Sequence, residues 1–151
     1  MAISYEQESR ELAVEVYDLE PVLLPAFLEK HKEVMDGREQ LFPEYMRMKF
    51  REKGILQQNV FLAADLPERY GYKLISGQKH TRQRDVILRI CLAAKFDLGE
   101  VQKALNYYGM APLHSRVPRD VVFIVAFQHR IYDIHEVDTM LRENELPPFL
   151  T

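Results

Sequence analysis

Between Gln57 and Arg84 the chain concentrates side chains suited to one kind of chemistry: Gln57, Gln58, Glu68, Arg69, Tyr72, Lys73, Lys79, His80, Arg82 and Arg84. The fork of Arg69 can donate two parallel bonds to a guanine edge, and Tyr72 can meet a base edge or a phosphate. Gln57 and Gln58 suit phosphate through their amides and the start of the helix they open. Lys79, His80, Arg82 and Arg84 would line a sugar–phosphate backbone beside the groove. The plainer reading of all ten is a solvated basic face. For Arg84 that reading is equally strong, because Arg84-Asp85 recurs as Arg119-Asp120 and a structural ion pair accounts for both.

The elements that must position these groups are two short helices within QQNVFLAADLPERYGYKLISG, Gln57 to Gly77. Helical patterns span 56–64 and 67–76 and meet at a tight turn near Asp65. Pro67 fits a first helical turn and Gly77 a helix end. Glu68, Arg69, Tyr72 and Lys73 then face solvent while Leu74 points inward. A short helix presented this way has the size of the DNA major groove.

From Leu41 to Leu113 the chain resembles the λ-repressor-like (Xre-type) helix-turn-helix proteins. Gln57 matches the glutamine that often opens their first motif helix, and Ala64 a small residue near its end. Leu66 and Leu74 match apolar motif positions, and Gly77 with Lys79 the glycine and basic loop. Leu88–Ala94 resembles the family's fourth helix, and Asp97–Leu105 its fifth. At three positions the chain departs from the pattern. Asp65 replaces the usual turn glycine, and aspartate tolerates the left-handed backbone. Phe61 stands where Ala is usual, and Gly71 where Ile or Val is usual. Those two positions face each other in the family, so the volumes are exchanged and the Phe61 ring is expected to pack over Gly71. The resemblance implies double-stranded DNA as partner, a homodimer occupying an operator, no cofactor, and a small transcriptional regulator of a bacterium or its mobile elements.

Composition is compatible with this. The 151 residues are 47% hydrophobic with a net charge of −3, enough for one domain with an appendage. Residues 1–45 hold four basic and eleven acidic side chains, 46–100 eleven and six, and 101–151 five and six. The positive surplus thus coincides with the motif region. There is no membrane-length apolar run and no signal-peptide pattern. Cys91, the single cysteine, reads as a core residue of a cytoplasmic protein. His31, His80, His114, His129 and His135 have no metal-ligand spacing. With no phosphate loop and no nucleophile motif, neither an enzyme nor a metal site is expected.

The periodicity predicts an all-α fold: an acidic N-terminal helical extension (1–40), a helix-turn-helix domain (41–113) and a C-terminal helical hairpin (114–151). Helices are expected at 6–19, 21–35, 42–53 and 82–95, the last capped by Thr81. Residues 84–113 recur at 119–149, each copy with Asp-x-x-Glu before its second helix, as in a capping box; the second hairpin should pack on the first. The N-terminal apolar residues Leu19, Val22, Leu23, Leu24, Phe27 and Leu28, or the C-terminal hairpin, would supply dimer contacts. The alternative is a protein-interaction module whose former reading helix contacts another protein. The acidic N-terminus, Gly71 and an exposed Ile75 beside Leu74 favour that alternative.

Overall fold

The computed structural model describes residues 5–31 and 41–150, and all regular structure among them is helical. The chain forms two compact units, Met1–Gly37 and Arg38–Thr151. The first holds α1 (Tyr5–Tyr17), a 3-10 turn (Pro21–Leu23) and α2 (Leu24–Lys30). The helix expected over 21–35 starts as the 3-10 turn and continues as α2; its last expected residues, 32–35, and the predicted break at Asp36-Gly37 lie outside the described residues. Phe27 is buried in this unit, whereas Val14, Tyr17, Val22, Leu23, Leu24 and Leu28 are exposed. His31 Nε2 meets the Glu15 carboxylate at 3.0 Å, and its ring lies 4.5 Å from that of Phe27.

The second unit contains α3 (Leu41–Lys53), α4 (Gln57–Ala63), α5 (Glu68–Ser76), α6 (Arg84–Ala93), α7 (Leu98–Tyr108), α8 (Pro118–Gln128) and α9 (Ile134–Glu143). Its core centres on α6, where Ile87, Leu88, Ile90, Cys91 and Leu92 are fully buried in one apolar cluster to which all seven helices of the unit contribute. Burial pushes the Cys91 thiol up, the Glu100 charge adding to it, so it remains a protonated core group. No described helix is long and apolar enough to cross a membrane.

One device ends four of these helices. Asp65, Lys95, Arg130 and Glu145 take left-handed backbone, φ 55–58°. The next residue is always apolar: Leu66, Phe96, Ile131 and Leu146. Each of their amides donates to a carbonyl five residues back, on Phe61, Cys91, Ala126 and Leu141, at 2.9–3.1 Å. This is a Schellman closure, in which an apolar residue folds back onto the helix it follows. Burial of that residue offsets the roughly 1–2 kcal/mol that left-handed backbone costs a side chain.

The two repeats pair by an internal two-fold. Arg84 bonds to Asp120, and Arg119 bonds to Asp85 through two parallel bonds of 2.7 and 2.8 Å. Each arginine thus pairs with the other copy's aspartate, the reciprocity of an isologous contact. Each also reaches the segment closing a repeat: Arg84 donates to the Ala111 and Pro112 carbonyls and Arg119 to that of Pro147. Accordingly α6 packs on α9, and α7 on α8. Gln102 and Asp138 occupy equivalent positions and hold equivalent backbone. Gln102 brackets Leu113, and Asp138 accepts from the Phe149 and Leu150 amides.

Two expected caps differ. Asp97 and Glu100 form the full capping box, but Asp133 accepts from the His135 amide instead. Thr81 does not cap α6; its hydroxyl accepts from Gln83, and Gln83 is the N-cap. Glu100 is drawn further by Lys49 and Lys53 on α3, at 3.1 and 3.0 Å.

Burial alone would raise the Asp138 carboxyl, but bonds from Arg142 and the Leu150 and Phe149 amides outweigh it and hold it below the usual carboxylate range. Glu100 is lowered likewise: the Asp97 amide, Lys53 and Lys49 outweigh its desolvation. A carboxylate with a depressed folded pKa contributes stability present above the unfolded value, about 4, and lost as pH falls through the folded one. Asp138→Asn is therefore expected to lower the thermal midpoint at pH 7 and to differ progressively less from the parent as pH falls below about 4. Melting curves across pH 2–7 check this; a gap that widens towards low pH contradicts it.

Candidate nucleic-acid interface

The site begins with how α5 is seated. Phe61 on α4 is fully buried, and an added Cβ at Gly71 would lie 2.5–2.7 Å from its Cγ and Cε1. The ring therefore lies directly over the Gly71 backbone, as the exchanged volumes predict, and lets α5 approach α4 at a distance no side chain would permit. The same ring meets Tyr72 edge-on, centroids 5.0 Å apart at 81°, which fixes Tyr72 while leaving it exposed. Arg89 on α6 clamps the turn, donating to the Ala64 and Asp65 carbonyls at 2.9 and 2.6 Å. A cation on the last carbonyls of α4 also suits that helix end.

Helix α5 starts at Glu68 with Pro67 as its N-cap, and ends at Gly77 with φ 82°. Left-handed backbone at Gly77 costs no side-chain clash. The Lys79 amide then donates to the Lys73 carbonyl at 3.0 Å, turning the following loop back beside the helix. Leu74 and Ile75 are both in the core, Ile75 only 1% exposed. The expected exposure of Ile75 is thus corrected. Helix α5 packs on both α3 and α4, and a helix wedged between two neighbours buries a wider stripe than one.

Glu68, Arg69 and Tyr72 are exposed on the outer face of α5, with Lys73 half-buried. Gln57, Tyr72 and Lys73 converge with Arg47, Ile75, Ser76 and Gln78 around an open groove of about 260 Å³. Four side chains with N–H donors, Arg47, Gln57, Lys73 and Gln78, thereby line one concavity. Arg47 is the member that sequence reasoning missed. It lies a turn and a half before the end of α3, outside the motif, and only the packing of α3 on α5 brings it there.

Gln58 is exposed on α4 but does not line the groove, and Lys79, His80 and Arg82 are exposed on the loop after α5. His80 stacks on Tyr108, rings 4.3 Å apart and 8° from parallel. The Tyr108 hydroxyl accepts from the Thr81 amide at 2.6 Å; burial raises that phenol and outweighs this bond. The loop is thus anchored on α7 next to its basic residues. Arg84 does not join the group. It is half-buried in the repeat interface with Asp120, and the ion-pair reading of Arg84 is the one the geometry bears out. Lys49 and Lys53 are likewise engaged with Glu100. Part of the middle segment's positive surplus therefore lies away from α5.

No family model matches the chain, and no curated protein or solved structure is significantly similar to it.

Proposed function

We propose that the chain binds double-stranded DNA sequence-specifically, with α4 and α5 as a helix-turn-helix and α5 as the reading helix. The λ-repressor-like bundle, the regulatory role and a dimeric, operator-bound state belong to this reading. Its main support is one arrangement: an outward α5 face carrying Glu68, Arg69 and Tyr72, flanked by the Arg47–Gln57–Lys73 groove and by the Lys79–Arg82 loop. The outward face offers groups for base edges. The adjoining groove and loop offer donors for phosphates. Two features that favoured a protein-interaction module lose their force: Ile75 is buried, and Gly71 is matched to Phe61.

Selection of bound sequences from a random duplex pool tests the proposal. Affinity for a selected site should exceed that for random duplex at physiological salt; equal affinities would favour the interaction module. Arg69→Ala should cost about 1–3 kcal/mol and relax preference at one base pair. Lys79→Ala should weaken all sequences alike and reduce the salt slope by about one. Arg84→Ala should instead lower stability.

A further inference from the structure

The groove beside α5 carries an electrostatic demand that the chain does not meet from within. Arg47 and Lys73 converge on it, and no carboxylate lines it. Among the described residues neither cation is paired with a carboxylate. Other cations of the same unit are paired: Lys49 and Lys53, on the same helix as Arg47, meet Glu100, and Arg84 and Arg119 meet aspartates. Two unpaired like charges on one concavity leave a positive field there, and the walls of a cleft focus it. The rest of the lining is of two kinds. Gln57 and Gln78 present carboxamides, each with donors and an acceptor. The Tyr72 ring, packed on Phe61, and Ile75 supply apolar wall.

We propose that this groove binds a small phosphorylated molecule, of nucleoside-monophosphate size or below, and that its occupancy excludes DNA from α5. Charge selects the class. A phosphate monoester carries about −1.5 to −2 near neutral pH, which matches two cations, whereas each backbone phosphate of a duplex carries a single charge. Size restricts it: the groove's volume of about 260 Å³ lies just below the roughly 300–1,000 Å³ of ligand sites. The lining completes it. An apolar wall with a few polar groups is the usual make-up of a small-molecule site, and here the wall and the two carboxamides suit the sugar or base that bears the phosphate. Tyr72 and Lys73 are also groups that the DNA reading gives to the duplex, so one occupant displaces the other. That exclusion rests on the DNA-binding proposal; the site itself does not.

Isothermal titration of the full chain with adenosine monophosphate, adenosine and inorganic phosphate tests this. Adenosine monophosphate should bind saturably, with Kd below about 1 mM, and the other two about tenfold or more weakly. Arg47→Ala and Lys73→Ala should each weaken it by about tenfold or more with unchanged circular-dichroism spectra. Lys103→Ala, exposed on α7, should leave it unchanged. Should an alanine variant unfold, Gln57→Glu provides the second test: a carboxylate in the groove should repel adenosine monophosphate without affecting adenosine. Excess adenosine monophosphate should also release a duplex taken from the random-pool selection. No binding, adenosine or inorganic phosphate binding as tightly, or an affinity unchanged in Arg47→Ala and Gln57→Glu would each overturn the proposal. Duplex affinity that falls in Arg47→Ala, with no binding of adenosine monophosphate, would give the groove to the DNA backbone alone. Binding that leaves the duplex in place would overturn the exclusion. A chain that binds adenosine monophosphate without preferring any DNA site would keep the groove and remove the DNA reading. Site preference without that binding would do the reverse.

Discussion

Phe61→Ala is expected to cost about 3–5 kcal/mol, as truncating a fully buried aromatic does when neighbours cannot close the space. Collapse is hindered here, because the ring covers the Gly71 backbone and supports Tyr72. The reciprocal substitution, Gly71→Ile, should also destabilise, because any Cβ there strikes a ring that has no free volume to move into. Together the two substitutions restore a small residue on α4 and a branched one on α5. The double variant should then be more stable than the sum of the singles predicts, with a coupling of about 1–3 kcal/mol. Urea unfolding of the four proteins measures the cycle. Additive singles, or a Phe61→Ala midpoint equal to the parent's, would mean that the ring and the glycine are not an exchanged pair. Because Tyr72 leans on the same ring, Phe61→Ala should also weaken DNA binding beyond the unfolded fraction.

That exchange was readable from the chain because it is local: two departures ten residues apart, on helices joined by a short turn. The left-handed Asp65 was readable for the same reason. Lys95, Arg130 and Glu145 were not, since nothing in a lysine, arginine or glutamate marks that backbone. The signal lies in the next residue, where Phe96, Ile131 and Leu146 each resume an apolar pattern after one to four polar residues. The burial of Ile75 was misjudged because a single-stripe projection assumes one neighbouring helix, and α5 has two. Arg47 was missed because its place in the groove depends on how α3 lies against α5. The recurrence of Arg-Asp was visible, but spacing alone could not show that each arginine bonds to the other repeat's aspartate.

That crossed pairing leads to the second large effect. The two ion pairs are related by the internal two-fold but not equivalent in burial. The Asp120 side chain is almost fully enclosed, whereas a third of the Asp85 side chain is exposed. Asp120 accepts from Arg84 and also from the His114 amide at 3.0 Å, which fixes the segment entering α8. Asp120→Ala would leave a half-buried guanidinium with carbonyl partners only, and an amide without its acceptor. Breaking a buried pair by removing one partner costs about 3–5 kcal/mol. Since a quarter of the Arg84 side chain is exposed, about 2–4 kcal/mol is expected here. Asp85→Ala should cost no more than about 1 kcal/mol, because its pair is reached by solvent and Arg119 keeps the Pro147 carbonyl and the Phe123 ring. Chemical denaturation of both variants at neutral pH decides the ranking. Equal losses would mean that the repeats share the load symmetrically despite unequal burial. A larger loss at Asp85 would place the critical contact at the exposed pair and contradict the desolvation argument.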